Sequence, residues 1–205
     1  MKKLLLLVLA IFLTAENSAS AANIILPAPA KNGGKSVLEA ISDRSSAAQQ
    51  NFKKEEIPLN DLATILWAAT GKNREPKGWT IPLAMGREPY VSIYVLTRRG
   101  AYLYDWNKSI LEEIMQDNKL LSRSVLQDFA KTAPCCLVFV SSGKMNIDTF
   151  NYLAAGAMSQ NTYLAADALG YKARFLASFN KGALETSLML MQTKTIIGVM
   201  VIGKQ

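Results

Sequence analysis

Histidine is absent from this 205-residue chain, and cysteine occurs only as the adjacent pair Cys135-Cys136. Without imidazole there is no Ser-His-Asp or Cys-His nucleophile pair and no zinc site that needs histidine. In the apolar run "APCCLVFV" an extended strand would send neighbouring side chains to opposite faces. The two thiols therefore cannot converge on one metal or close an ordinary disulfide, and they read as small buried hydrophobes. Acid pairs are no better placed: Glu55-Glu56 and Glu112-Glu113 are sequence neighbours, splayed by about 100° on a helix, and cannot flank one scissile bond. A glycine-rich dinucleotide fingerprint after a strand and a GxxxxGK[ST] phosphate loop are both missing. A chain without these groups either does no chemistry or borrows it from a cofactor.

What is present begins with an export signal. Lys2 and Lys3 precede an apolar run, Leu4 to Leu13, too short to span a bilayer, and Ala19-x-Ala21 then offers a cleavage site. Residues 1–21 are expected to be removed, leaving no membrane anchor and a secreted or periplasmic protein. The formal charge is +7. The lysines and arginines are scattered, with only short pairs such as Lys53-Lys54 and Arg98-Arg99, so no nucleic-acid surface is expected.

Residues 22–35, rich in proline, glycine and alanine, read as an extended arm, and 36–205 as one domain whose regular structure starts at Ser36. Ser36 caps a helix with Val37, Leu38 and Ile41 on one side, and Pro58 opens a second that ends at Thr70-Gly71. A long irregular loop follows. "YVSIYVL" and "AYLYDW" predict a hairpin turning over Thr97 to Gly100, and Lys108 to Thr132 reads as helix with a break near Asp117-Asn118. "CCLVFVS" predicts a buried strand, Asp148 to Leu169 a helix ending at Gly170, "YKARFLAS" and "TIIGVMVIG" strands, and Leu184 to Leu190 a short helix between them. The order is α+β.

Arg44-Ser45-Ser46, a fixed cation and two hydroxyls at a helix-loop junction, fits a surface turn as well as a phosphate grip when taken alone. Its company is more specific. The helix end Leu66-Trp67-Ala68-Ala69 leads to Gly71-x-Asn73-Arg74. A later helix carries Gly156-x-x-x-Gln160-Asn161-x-x-Leu164-Ala165-Ala166-x-x-Leu169-Gly170. With "GAYLYD", "TAPCCLVFVS" and "VMVIGK" in the right order, nearly the whole chain past the signal resembles the nitroreductase superfamily, especially its SagB-like and Bacteroides-type branches.

The resemblance implies a central antiparallel sheet wrapped by helices and a homodimer with FMN at the subunit interface. It also implies hydride transfer from NAD(P)H to a small organic acceptor. It places Arg44, Ser45 and Lys204 on the flavin phosphate and ribityl chain, and Met85, Gly86 and Arg87 against the ring. The sequence departs from the family pattern in three places. Asp43 stands where the first basic residue of the phosphate run would be, no later basic residue precedes Phe52, and Gly86 replaces an asparagine. A flavin-free binding or structural protein of the envelope is the alternative expectation. Trp67, Gln160 and Asn161 stay open between site roles and plain packing.

Overall fold

The computed structural model describes residues 23–143 and 148–205; the expected signal segment lies outside them. In chain order the elements are β1 (Ile24–Ile25), α1 (Val37–Asp43), α2 (Leu59–Thr70), a single 3-10 turn (Ala84–Gly86), β2 (Val91–Thr97), β3 (Gly100–Asp105), β4 (Ile110–Gln116), α3 (Leu120–Ser124) and α4 (Asp128–Lys131). Then follow β5 (Cys135–Ser141), α5 (Asp148–Ala168), β6 (Lys172–Leu176), α6 (Lys181–Ser187) and β7 (Ile196–Gly203). The strands form one seven-stranded sheet, ordered β1-β4-β3-β2-β5-β7-β6, antiparallel at each junction.

β5 is buried along its whole length, which explains a run with no polar residue before Ser141. Its alternation divides the interior in two. Cys135, Leu137 and Phe139 join the core under α2 and α5, while Cys136, Val138 and Val140 join the core under α3, α4 and α6. The two thiols thus face apart, and burial pushes both up from the ordinary value, Cys135 to about 12.

Several expectations need correction. Residues 110–116, read as helix, form β4: "ILEEIMQ" consists largely of good helix formers, but its backbone is claimed by β3 on one side and β1 on the other. Regular structure also begins before Ser36. Ile24 and Ile25 pair with Leu111 and Ile110, and Asn23 Oδ1 accepts from the Glu113 N–H, so the arm closes an edge of the sheet. α1, α2, α5 and the remaining strands fall where the sequence puts them, including a complete capping box between Ser36 and Glu39 and a left-handed Gly170 after α5. The helix expected to run on to Thr132 is instead split into α3 and α4 by extended Val125, and α6 begins and ends three residues before the expected 184–190, capped by Asn180.

Candidate functional site

α5 is the post to which the site is tied. Asn161, on α5, donates through Nδ2 to the carbonyls of Ala68 (2.9 Å) and Thr80 (3.0 Å), fastening the end of α2 and the following loop to one helix. Trp67 Nε1 donates to the Lys72 carbonyl, and Thr80 Oγ1 to that of Trp67. Gly71 is required by close approach, since a Cβ there would lie 2.2 Å from Trp67 Cδ1. Trp67, Asn161 and Gly71 are therefore parts of one packed joint. Asn161→Ala leaves two carbonyls short of a donor and is expected to cost about 1–3 kcal/mol, read by urea denaturation.

At the opposite edge of the sheet, the chain after α1 runs alongside β6: Ser46 bridges Ala173, and the Ala47 N–H donates to the Ala173 carbonyl at 2.8 Å. Tyr163, on α5, organises this edge. Its hydroxyl accepts from the Phe175 N–H (2.8 Å) and lies 3.2 Å from Ser46 Oγ, and the Arg44 guanidinium rests 4.8 Å from its ring centroid. Arg44 Nε is buried and has no hydrogen-bond partner among the described residues. A buried cationic donor left open is the feature that calls for an anionic acceptor. Ser45 beside it is exposed.

Asp43 does not oppose an anion here. Its carboxylate is held by Lys35 Nζ at 2.8 Å, and the same ammonium bonds Asp167 at 2.8 Å, while Lys172 Nζ reaches the other Asp167 oxygen at 3.1 Å. Burial works to raise the Asp167 carboxyl, but hydrogen bonds from Lys35 and Lys172 outweigh it and hold the group below its ordinary 3.8. A depressed carboxyl contributes stability that is full at neutral pH and is lost as pH falls through the folded value. The gap in stability between wild type and Asp167→Asn is therefore expected to be widest near neutrality and to close on acidification below about pH 4, followed by denaturant midpoints across a pH series.

Lys204 comes to the same edge. The Gln205 side chain accepts from the Ala48 N–H and donates to the carbonyls of Ala48 and Gln50, which ties the chain end to the 44–52 segment. Lys204 Nζ lies 3.2 Å from Glu55 Oε2 and 5.8 Å from the Tyr171 ring centroid. A cavity of about 600 Å³ opens beside the segment, walled by Gln49, Asn51, Arg174 and Phe175 among others. Arg174 was not singled out by sequence, because nothing in "YKARFL" marks it as more than a strand residue.

Met85, Gly86 and Arg87 sit elsewhere. They form an exposed turn with left-handed Met85 and Gly86, and the Arg87 carbonyl accepts from Trp79 Nε1, whose ring packs edge-on against Trp106 at the end of β3. β3 and β6 are four strands apart in the sheet, about 19 Å. Within one chain the two halves of the expected site are not brought together.

A seven-stranded antiparallel sheet flanked by helices defines an α+β protein. More particularly, the chain belongs to the nitroreductase family, whose model matches residues 41–204. It is similar to a Ralstonia eutropha protein assigned as a nitroreductase, at 32% identity over 89% of each chain with a TM-score of 0.81. Two further structures share the fold. One is assigned as a nitroreductase from Desulfovibrio desulfuricans in complex with FMN (19% identity, 82% of this chain and 86% of that one, TM-score 0.60). The other is assigned as an NADH oxidase from Clostridium acetobutylicum (22%, 80% and 86%, TM-score 0.58). No curated protein matches the chain.

Proposed function

We propose that this protein is an exported, FMN-dependent oxidoreductase that moves hydride from NAD(P)H to a small organic acceptor, and that it works as a homodimer. The observation that carries the reading is Arg44: a guanidinium stacked on Tyr163 with Nε buried and unpartnered, while the neighbouring acid is held by Lys35. This donor set fits a phosphate monoester. Arg44, Ser45 and Lys204 would hold the FMN phosphate and ribityl chain. When bound, FMN supplies the hydride chemistry that a chain without histidine or a reactive thiol has no means to supply.

The dimer is supported by what one chain leaves uncovered. Val37, Leu38 and Ile41 are 69%, 78% and 52% exposed although they form the apolar side of α1. On α5, Leu153, Gly156 and Gln160 share an open face, and an added Cβ on Gly156 would meet nothing within 4 Å. In this reading the Met85-Gly86-Arg87 turn at the first copy's β6 edge comes from a second copy, since one chain does not bring the two together. Leu38→Glu is expected to yield a monomer in analytical ultracentrifugation and to lose flavin with it.

Export rests on Lys2, Lys3, the Leu4–Leu13 run and Ala19-x-Ala21. Among the described residues no helix is long and apolar enough to cross a membrane. The activity is tested by adding NADH or NADPH anaerobically to the flavin-loaded protein: bleaching of the flavin band supports it, and an oxidised spectrum with both reductants contradicts it.

A further inference from the structure

We propose that the end of the sheet where β2 turns into β3 is a docking surface for the anionic phospholipid headgroups of a bilayer. The proposal is independent of the flavin reading and draws on the expected export only in the choice of chain to be tested. Lys53-Lys54 and Arg98-Arg99 are separate basic pairs in the sequence. The fold joins them: Arg98 Nη1 donates to the Lys54 carbonyl at 2.6 Å, and Nη2 to that of Thr132, next to Lys131, at 3.4 Å. Lys119 comes to the same end, because β4 runs antiparallel to β3 and its last residue, Gln116, is paired with Gly100. Arg98, Lys119 and Lys131 wall one cavity of about 420 Å³ together with Asn118 and Ser122, and no acid among the described residues lines it.

The acids nearby are already engaged. Asp117 is bonded to Arg123, Asp128 to Lys131 at 2.8 Å, Glu56 to Arg99 at 3.1 Å and Glu55 to Lys204 at 3.2 Å. These pairs cancel, and they leave Lys53, Lys54, Arg98 and Lys119 with no acid partner among the described residues. The three lysines are exposed, and Arg98 is held in place by its two carbonyls. Unbalanced charge of one sign, gathered at one end of the strands, attracts anions. The chemistry of the patch favours a headgroup layer over a protein partner. Protein interfaces centre on buried apolar or aromatic anchors. The large apolar side chains left exposed, such as Leu38, Leu153 and Met189, all lie outside 53–56, 97–99, 117–123 and 131–133. A bilayer of anionic headgroups needs no such anchor and is held by basic side chains alone.

Sedimentation with vesicles tests this. The chain from Ala22 onward is used, because Lys2, Lys3 and the Leu4–Leu13 run would bind lipid by themselves. It should sediment with phosphatidylcholine vesicles that contain phosphatidylglycerol and not with phosphatidylcholine alone. It should also be released at about 1 M salt, where charges are screened beyond about 3 Å. A basic side chain at an anionic surface contributes about fivefold in partitioning, so the triple variant Lys53→Gln, Lys54→Gln, Lys119→Gln should bind about a hundredfold more weakly. The control is the triple variant Lys77→Gln, Lys108→Gln, Lys181→Gln, which removes the same charge from exposed lysines outside the patch and should bind as wild type does. Thermal midpoints check that both triples remain folded. Failure to sediment with phosphatidylglycerol vesicles, or equal binding to neutral ones, would overturn the proposal. Equal losses in the two triples would overturn it as well, since net charge and not this patch would then be responsible. Retention on soluble heparin without sedimentation would give the patch to a soluble polyanion and overturn the bilayer assignment.

Discussion

Replacing Arg44 with alanine is expected to release the flavin: affinity for FMN should fall by about ten- to hundredfold, with little change in the folded state. The asymmetry follows from what Arg44 touches. Its side chain contributes one exposed-edge contact with the Tyr163 ring, worth about 0.5–1 kcal/mol, and satisfies no other protein group through Nε. The α1 end survives the change, because the Arg44 bond to the Ala40 carbonyl is made by the backbone N–H. Arg44→Lys should be intermediate, since an ammonium keeps the charge but lacks the planar fork that meets two phosphate oxygens at once. Fluorescence quenching of FMN titrated with each variant measures this. Wild-type affinity in the alanine variant would remove Arg44 from the site.

The largest effect on stability is expected from Gly100→Ala. Gly100 opens β3 after the two-residue turn Arg98-Arg99, with φ at 155°. A Cβ there would lie 2.0 Å from the Met115 carbonyl oxygen and 2.9 Å from Gln116 Cα. Both are backbone atoms of β4, held in register against β3 by the pairs Gly100–Gln116 and Ala101–Met115, so neither can swing aside as a side-chain tip would. A loss of about 3 kcal/mol follows, a large share of the roughly 5–15 kcal/mol that holds a domain together. Gly182→Ala in α6 is the control: an added Cβ meets nothing within 4 Å, and helix propensity should make that change neutral or stabilising by up to about 1 kcal/mol. Urea midpoints of the two variants should move apart. A Gly100→Ala variant as stable as wild type would mean that β4 does not pass where the structure has it.

Most of the sheet was legible because its strands advertise themselves. "CCLVFVS" is apolar on both faces, which a strand between two helical layers must be, and the Gly100 turn announces the hairpin. β4 was hidden for the converse reason: Glu112, Glu113 and Met115 are favourable helix residues, and only Leu111 is fully buried, so the choice of strand is made by pairing with β3 across the short 106–109 connection and with β1, which is remote in sequence. Site residues divide in the same way. Arg44 and Ser45 lie in one run and could be read there. That Asp43 turns to Lys35, and that Arg174 reaches Ala47, depends on side chains meeting across the fold, 8 and 127 positions apart. Separation of the Met85-Gly86-Arg87 turn from the β6 edge is a property of strand order, which local patterns do not carry.

Central to the account is that the β6 edge of this protein holds FMN, and the visible absorption spectrum tests it most directly. Purified protein is saturated with FMN, passed through a sizing column and scanned. A flavin band that co-elutes with the dimer and is lost from Arg44→Ala is expected. A colourless protein, folded and dimeric, would contradict it and leave a nitroreductase fold serving as a flavin-free binding or structural module.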